Sequence, residues 1–315
     1  MTLLEWLVQI LGIAAAMLGA PLFLGWLNQC RAWLQNKSAP PLIQPYLGIR
    51  KLFHKDAVIA GNASRLFRLA PYVVFAAMVT AAAIIPLIAI HLPFGRAADA
   101  IALVGLFATA RVFVSLAAMD VGTAFGSLGA RREMMIGFLA EPALLMVIFV
   151  ASLICATTAL PKISEVLAAQ SLALYPSLAF TAVAFSMVLL AENARIPVDN
   201  PATHLELTMI HEAMLLEYSA RHLALMEWAA ALKLFNYVCI GFALFVPWGM
   251  AANGALPDLA VALVLLGAKL ALAGVGIALI ETVSAKLRVF RAPEFLATAF
   301  LFAVLGLLVR LLLGA

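Results

Sequence analysis

The sequence has few cysteines, and none of them stands in a metal-binding pattern. Cys30, Cys155 and Cys239 lie far apart along the chain, and no C-x-x-C pair occurs. Structural zinc sites and iron–sulfur clusters take most of their ligands from closely spaced cysteines. We therefore expect no metal centre in this chain, and we interpret the three cysteines as small packing residues.

Signatures of catalysis are missing as well. The chain contains no Walker phosphate loop, no dinucleotide-binding glycine pattern and no nucleophile–base motif. His211 and Glu212 match the first half of the metalloprotease pattern H-E-x-x-H, but position 215 is a leucine. The sequence therefore predicts no catalytic residue and no cofactor bound to this chain itself.

Charge is scarce. Only 11% of the 315 residues are charged, whereas 65% are hydrophobic, and the mean hydropathy is +1.08. Soluble domains have about 45–50% apolar residues, so the composition indicates an integral membrane protein. The net charge of +4 suits basic loops beside a bilayer, and we expect no nucleic-acid partner.

Apolar runs of about 20 residues define the predicted architecture. The fold class is all-α, a polytopic membrane protein forming a single domain over residues 1–315, with no internal repeat. The two lysines inside spans, Lys233 and Lys269, are expected to snorkel or to pair with a carboxylate. About eight transmembrane helices are predicted, at residues 3–27, 69–90, 98–119, 134–160, 172–191, 223–250, 259–282 and 293–313.

The distribution of Lys and Arg orients this bundle. Most of them outside the spans fall into loops on one side, while Arg96, Lys162 and Arg310 fall on the other. The positive-inside rule places the basic loops in the cytoplasm and both termini in the periplasm. In the first cytoplasmic loop, residues 44–55 predict an amphipathic helix. Two roles stay open for it: resting on lipid headgroups, or docking a soluble partner.

Residues 191–227 carry an unusual concentration of acidic, basic and histidine side chains. A charge at the bilayer centre costs about 2.5–3.5 kcal/mol on insertion scales. Pro197 and Pro201 interrupt a regular helix here, so a loop carries Arg195 and Asp199. It is either a surface turn with an Arg–Asp pair or a vestibule on the cytoplasmic side, buried in protein.

Thr203 and Glu206 match a helix-capping box, so residues 203–218 are predicted to be helical again. Asp120 and Glu281 stand near predicted helix ends, where each alone could simply face the membrane interface. Taken together with the other carboxylates of that leaflet, they favour a proton route. The predicted proton-path residues are Glu141, Glu192, Glu206, Glu212, Glu217 and Glu227.

Several segments resemble a known family. The spacing E-x-x-R-x-P-x-D, formed by Glu192, Arg195, Pro197 and Asp199, resembles subunit 1 of respiratory complex I. The stretch from His204 to Ser219 is closer to the hydrogenase branch of that family, which contains the membrane anchors of formate hydrogenlyases and of hydrogenase-4-type group 4 [NiFe] hydrogenases. Residues 44–52, 68–72 and 120–134 are similar to the same branch.

The resemblance implies a membrane foot in the bacterial inner membrane. Its partners would be [NiFe]-hydrogenase-like large and small subunits, an iron–sulfur subunit and antiporter-like membrane subunits. The [NiFe] and iron–sulfur centres would then lie in those partner subunits. The residues expected at the junction with the partners are Asp120, Arg131, Arg132, Arg195 and Asp199.

Two departures from the complex I pattern bear on quinone binding. The R-x-G-P motif appears as Lys37-Ser-Ala39-Pro40 without its glycine, and Thr203–Glu206 replaces an acidic run. Both segments belong to the quinone chamber in complex I, so their loss favours the hydrogenase branch. The alternatives are a quinone-module subunit of an NADH:quinone oxidoreductase and a stand-alone ion transporter.

Overall fold

The computed structural model describes residues 3–90, 93–96, 99–169, 175–199, 209–251, 256–287 and 291–313. Within these ranges the chain is almost entirely helical, with no strand beyond one backbone bridge between Ala89 and Ala251. The helices are α1 (Leu3–Leu34), α2 (Gln44–Phe53), α3 (Arg65–Ile84), α4 (Ala100–Asp120), α5 (Ala124–Cys155), α6 (Leu160–Ala169), α7 (Pro176–Glu192), α8 (His211–Leu215), α9 (Ala220–Phe245), α10 (Leu256–Val283) and α11 (Ala292–Leu313).

The predicted all-α membrane fold is confirmed. Seven of the described helices are long and apolar enough to cross a bilayer, namely α1, α3, α4, α5, α9, α10 and α11. Helix α7 corresponds to the remaining predicted span and is apolar, but it has only 17 residues. The total of eight spans and the periplasmic position of the termini stay predictions.

Helix boundaries differ most from prediction at α5. This helix begins at Ala124, where the Thr123 hydroxyl caps it by accepting from Gly126 N at 3.4 Å. The prediction started the span at residue 134, after a charged segment. A hydropathy window marks the part of a helix that suits lipid, whereas the backbone hydrogen bonds continue through charged residues. As a result, Glu141 lies inside α5 rather than near its start.

The helix predicted over residues 203–218 was also wrong in its described part. Only α8 is helical there, a turn follows it, and α9 begins at Ala220. Residues 200–208, which include the proposed capping pair Thr203 and Glu206, lie outside the described residues. The short α8 packs against α5 and α4, which brings its first residue, His211, to the centre of the bundle.

The predicted amphipathic helix is α2. Pro45 occupies its first turn, Ile49 is buried, and Arg50 and Lys51 are exposed. The Tyr46 hydroxyl donates to the carbonyl of Leu18 in α1. The apolar side of α2 is therefore held against the bundle while its basic side stays open.

Helix α9 forms the middle of the bundle. Of the seven span-length helices it has the largest buried share, and α10 has the smallest. Two side chains fix α9 to its neighbours: Asn236 Nδ2 donates to the carbonyl of Met78 at 2.9 Å, and Trp228 Nε1 donates to that of Met17 at 3.0 Å. These bonds satisfy polar groups where no water replaces them.

The lysine inside α10 has a structural explanation. Lys269 Nζ donates to the carbonyls of Val246, at 2.6 Å, and of Trp248, which follow the last turn of α9. A helix end leaves carbonyls without intrahelical partners, and a cation there also meets the negative end of the helix dipole. Lys269 therefore pairs with backbone rather than with a carboxylate.

We predict that Lys269→Met destabilises the protein, because it leaves two carbonyls at the end of α9 without their donor. A hydrogen bond to a charged group contributes about 1.5–3 kcal/mol, so the thermal-unfolding midpoint in detergent should fall by several degrees. Leu272→Met is the matched control, since Leu272 lies on the same helix and is 74% exposed. Equal midpoints for the two variants would contradict the capping role of Lys269.

Candidate functional site: a buried ion-pair network

One buried arginine joins three helices. Arg111, in the middle of α4, is 7% exposed. Its Nε lies 3.4 Å from Glu133 Oε1, and its two terminal nitrogens pair with Glu141 and Glu192. Glu133 and Glu141 belong to α5, whereas Glu192 is the last residue of α7. The guanidinium therefore holds α4, α5 and α7 together through carboxylates.

The network extends into α9 through Glu192. Lys233 Nζ lies 3.0 Å from Glu192 Oε2, so this carboxylate is shared between two cations. Glu192 is 2% exposed. The expected pairing of Lys233 with a carboxylate is confirmed. Glu192 keeps its charge in a buried position because each oxygen has its own cationic partner.

In the other direction, the network reaches the segment that follows α7. His211 Nε2 lies 3.1 Å from Glu133 Oε2, and His211 Nδ1 lies 3.3 Å from Asp199 Oδ2. Lys286 Nζ, from the segment after α10, lies 3.5 Å from Asp199 Oδ1. Acidic and basic side chains thus alternate from Lys233 in α9 to Lys286.

A tight turn positions Asp199. Residue 194 has a positive φ of 52°, and the backbone nitrogens of Val198 and Asp199 donate to the carbonyl of Arg195 at 3.0 and 3.1 Å. Leu287 N donates to the carbonyl of Pro197 at 2.8 Å. The turn is therefore fixed to the segment after α10, which carries Lys286 to Asp199.

A second buried cluster lies beside this turn. Arg195 is 6% exposed and places NH1 3.3 Å from Glu281 Oε1, near the end of α10. Arg31, in the last turn of α1, lies 3.7 Å from the other oxygen of Glu281. This cluster ties α1, α10 and the turn after α7. It replaces the Arg–Asp surface pair that was one interpretation of the sequence.

Four predicted site residues fall in these clusters: Glu141, Glu192, Arg195 and Asp199. Glu141 lies at the edge, with 34% of its side chain exposed. The other junction residues lie elsewhere. Asp120 accepts from Ser64 N at 2.8 Å, Arg132 donates to the carbonyl of Met209 at 2.7 Å, and Arg131 is exposed.

The remaining predicted proton-path residues are not joined in the same way. Glu212 and Glu217 are partly buried, and Glu227 is exposed on α9. Glu212 and Glu227 are close enough to repel each other electrostatically. Within the described part of the chain, neither Glu217 nor Glu227 forms an ion pair, and Glu206 lies outside that part.

Sequence reasoning gave no site role to Arg111, Glu133, Lys233 or Lys286. The sequence did contain a signal for Arg111 and Lys233: each is a cation inside an apolar span, and such a cation requires a compensating partner. Glu133 entered the sequence analysis only within residues 120–134, the segment similar to the hydrogenase branch. Among the described residues, no group of three or more His, Cys, Asp or Glu side chains is arranged to hold a metal ion.

Fold and site together define a multi-pass membrane protein whose helices are joined by a buried chain of alternating charges. The profile of a family described as NADH dehydrogenase matches residues 8–312, and the chain belongs to that family. It is 33% identical to formate hydrogenlyase subunit 4 of Escherichia coli (strain K12) over 310 residues, covering 97% of this chain and 98% of the relative.

One further relative and one solved structure are also similar to this chain. Hydrogenase-4 component C of Escherichia coli (strain K12) is 35% identical over 245 residues, covering 78% of this chain and 76% of the relative. A chain of the membrane-bound sulfane sulfur reductase, an archaeal respiratory membrane complex, superimposes with a TM-score of 0.78 at 20% identity. That match covers 96% of this chain and 98% of the other, and it shows a shared fold.

We predict that Gly137→Ala disrupts the network without removing any charged residue. A β-carbon at position 137, on α5, would overlap the Arg111 guanidinium and lie 2.7 Å from its Cδ. Displacing one partner of a buried charge cluster costs on the order of 3 kcal/mol. The yield and the thermal-unfolding midpoint of the purified protein should both fall.

Gly105→Ala is the matched control for this change. Gly105 lies in α4, the helix that carries Arg111, and a β-carbon there meets no atom within 4 Å. Its midpoint should equal or exceed that of the wild type, because alanine favours a helix over glycine. A Gly137→Ala protein as stable as the Gly105→Ala protein would show that Arg111 does not need its observed position.

Proposed function

We propose that this chain is the membrane-anchor subunit of a formate hydrogenlyase or related group 4 [NiFe] hydrogenase complex in the bacterial inner membrane. It docks the hydrophilic redox arm and contributes to the coupling of that arm to proton translocation. The similarity to formate hydrogenlyase subunit 4 extends over almost the full length of both chains. That similarity supports the choice of complex, and the ion-pair network supports the coupling role.

The observation that carries the coupling role is the continuity of the network. Its acidic and basic groups lie 3.0–3.5 Å apart at Lys233–Glu192, Arg111–Glu133, Glu133–His211, His211–Asp199 and Asp199–Lys286. Replacing a buried ion pair by apolar side chains is often neutral or stabilising, so stability alone does not explain so many charges. Chains of Asp, Glu and His inside membrane proteins are characteristic of proton relays.

The hydrophilic partners are proposed to be [NiFe]-hydrogenase-like large and small subunits and an iron–sulfur subunit, which would supply the redox centres. The basic side of α2, with Arg50 and Lys51 exposed, and the exposed Arg131 offer a positive surface to them. Such a surface attracts partners of opposite charge. On the proposed topology it lies on the cytoplasmic side.

An antiporter-like membrane subunit is proposed to pack against α5 beside Glu141. The Glu141 side chain is 34% exposed in the interior of a membrane helix, next to Phe138, which is 79% exposed. A carboxylate exposed to hydrocarbon is costly, and a neighbouring protein subunit would remove that cost. This position would let the proton route continue from the Glu141 carboxylate into the next subunit.

A second candidate function is the quinone-module subunit of an NADH:quinone oxidoreductase. The family description favours it. An apolar cavity of about 250 Å³ lies between α1 and α10, lined by Phe23, Trp26 and Leu270 among others. The Trp26 indole N–H already donates to the carbonyl of Ala271 at 3.0 Å. The cavity therefore fits a hydrocarbon chain better than a hydrogen-bonding quinone ring.

Purification of the native complex separates these candidates. A tag on this chain should recover a [NiFe] large subunit and an iron–sulfur subunit, with hydrogen production that does not depend on quinone. Stoichiometric quinone, together with NADH oxidation blocked by a quinone-site inhibitor, would instead support the second candidate. Recovery of this chain without any redox subunit would exclude both.

We predict that Glu141→Gln and Glu227→Gln leave the complex assembled but lower its proton translocation about tenfold or more, since each removes a proton-exchanging group. Proton uptake and hydrogen production would be measured together in inverted membrane vesicles. Glu165→Gln is the control, because Glu165 forms an exposed pair with Lys162 on α6. Normal translocation in either glutamine variant would remove that glutamate from the route.

A further inference from the structure

His211 differs from the other described histidines, His54 and His222, in having a carboxylate oxygen at each ring nitrogen. Nε2 lies 3.1 Å from Glu133 Oε2, within ion-pair distance but not aligned as a hydrogen bond, and Nδ1 is hydrogen-bonded to Asp199 Oδ2 at 3.3 Å. Asp199 Oδ2 also accepts from the backbone nitrogen of His211 at 3.3 Å. The ring is therefore held between α5 and the turn after α7.

This geometry requires an extra proton. A neutral imidazole has one N–H group and one nitrogen lone pair, whereas imidazolium has two N–H groups. A neutral ring would point its lone pair at one of the two carboxylates, and these groups would repel each other. Either the ring is imidazolium, or the carboxylate that faces the lone pair is itself protonated. In both cases a proton resides in one of these two contacts.

The surrounding charges agree with this conclusion. The groups around the ring are Glu133 of α5, Asp199 of the turn and Lys233 of α9; behind the two carboxylates lie Arg111 of α4 and Lys286. Burial lowers the pKa of His211, but Glu133 and Asp199 outweigh it, so the pKa is raised above its ordinary value. The Lys233 charge opposes this rise without reversing it.

His211 also connects two parts of the network. On one side, Asp199 and Lys286 belong to the segments that follow α7 and α10. On the other, Glu133 contacts Arg111, which contacts Glu141 and Glu192 inside the bundle. A proton that crosses the His211 ring therefore moves between the loop region and the intramembrane carboxylates.

We propose that His211 is the proton-transfer residue that links Asp199 of the loop region to Glu133 and the Arg111 cluster. This inference rests on the proposed coupling function and assigns the entry step of the route. In the transfer, the Nε2–H bond breaks and an O–H bond forms at Glu133 Oε2. Imidazolium becomes neutral imidazole, and the carboxylate becomes a carboxylic acid, so the pair remains neutral in total.

The ring returns to its starting state from the opposite side. Release at Nε2 leaves a neutral imidazole whose hydrogen is on Nδ1 and whose free lone pair is on Nε2. Rotation of this ring about its Cβ–Cγ bond turns the free nitrogen from Glu133 towards Asp199. There the O–H bond of a protonated Asp199 breaks, an N–H bond forms, and the ring becomes imidazolium again. The ring thus accepts protons at one carboxylate and releases them at the other, which arginine and glutamine do not do.

Two substitutions in the full complex test the proposal. His211→Arg keeps a positive charge between the carboxylates but does not release a proton at neutral pH, and His211→Gln removes the charge. His222→Phe is the control, because His222 has an edge-to-face contact with Tyr72 that a phenyl ring retains. Hydrogen production with an uncoupler and proton translocation without one would be measured on the same vesicles.

Both His211 variants should retain uncoupled hydrogen production within about twofold, lose proton translocation about tenfold or more, and leave the control unaffected. Wild-type translocation in His211→Arg would show that only a fixed positive charge is needed there and would overturn the proposal. Wild-type translocation in His211→Gln would overturn it as well. Failure of the proposed function would appear differently, as a wild-type complex that moves no protons.

The pH dependence of stability gives a readout that does not need activity. Because the folded-state pKa of His211 is raised, the stability from its two carboxylate contacts is fully present below the unfolded pKa of about 6.5. It is lost as pH rises through the higher folded-state pKa. The thermal-unfolding midpoint of the wild type should fall over that interval, whereas that of His211→Gln should not. Parallel curves would show that the ring holds no proton between these carboxylates.

Discussion

A guanidinium group inside a bundle of membrane helices has to be neutralised by its neighbours, and this requirement organises the interior of the protein. Arg111 is almost fully buried and stays charged under all ordinary conditions. Three carboxylates from two other helices surround it. Removing either of the two buried ones, Glu133 or Glu192, leaves excess charge in a medium that does not solvate it, so the packing of α4, α5 and α7 is tied to one electrostatic arrangement.

This arrangement explains the position of the irregular backbone that follows α7. The turn after α7 and the short helix α8 interrupt regular structure, and such backbone at membrane depth has to be buried in protein. In the turn, the carbonyl of Arg195 accepts hydrogen bonds from Val198 N and Asp199 N, and the carbonyl of Pro197 accepts one from Leu287 N. Because the helix is interrupted, Asp199 and His211 lie beside α5, where a continuous helix through these residues would not place them.

Much of the fold could be predicted from the sequence, because apolar runs of membrane length report directly on helices. The site was predictable only in part. Glu192, Arg195 and Asp199 stand close together in the sequence, and their concentration was visible. Arg111 and Glu133 were not recognised as an ion pair, because they lie on different helices and hydropathy does not say which helices pack together. The start of α5 was misplaced for a similar reason: Glu133 is charged, yet it lies inside a helix because Arg111 and His211 compensate it.

The two buried clusters differ in what they are able to do. Glu281 lies between Arg195 and Arg31, and arginine does not exchange protons at physiological pH. That cluster is therefore a fixed connection between α1, α10 and the turn. The other cluster contains a histidine and several carboxylates, whose protonation changes with small shifts of geometry. A fixed connection beside a chain of exchangeable groups would hold the turn in place during proton transfer, which is the division of roles that the proposed proton route requires.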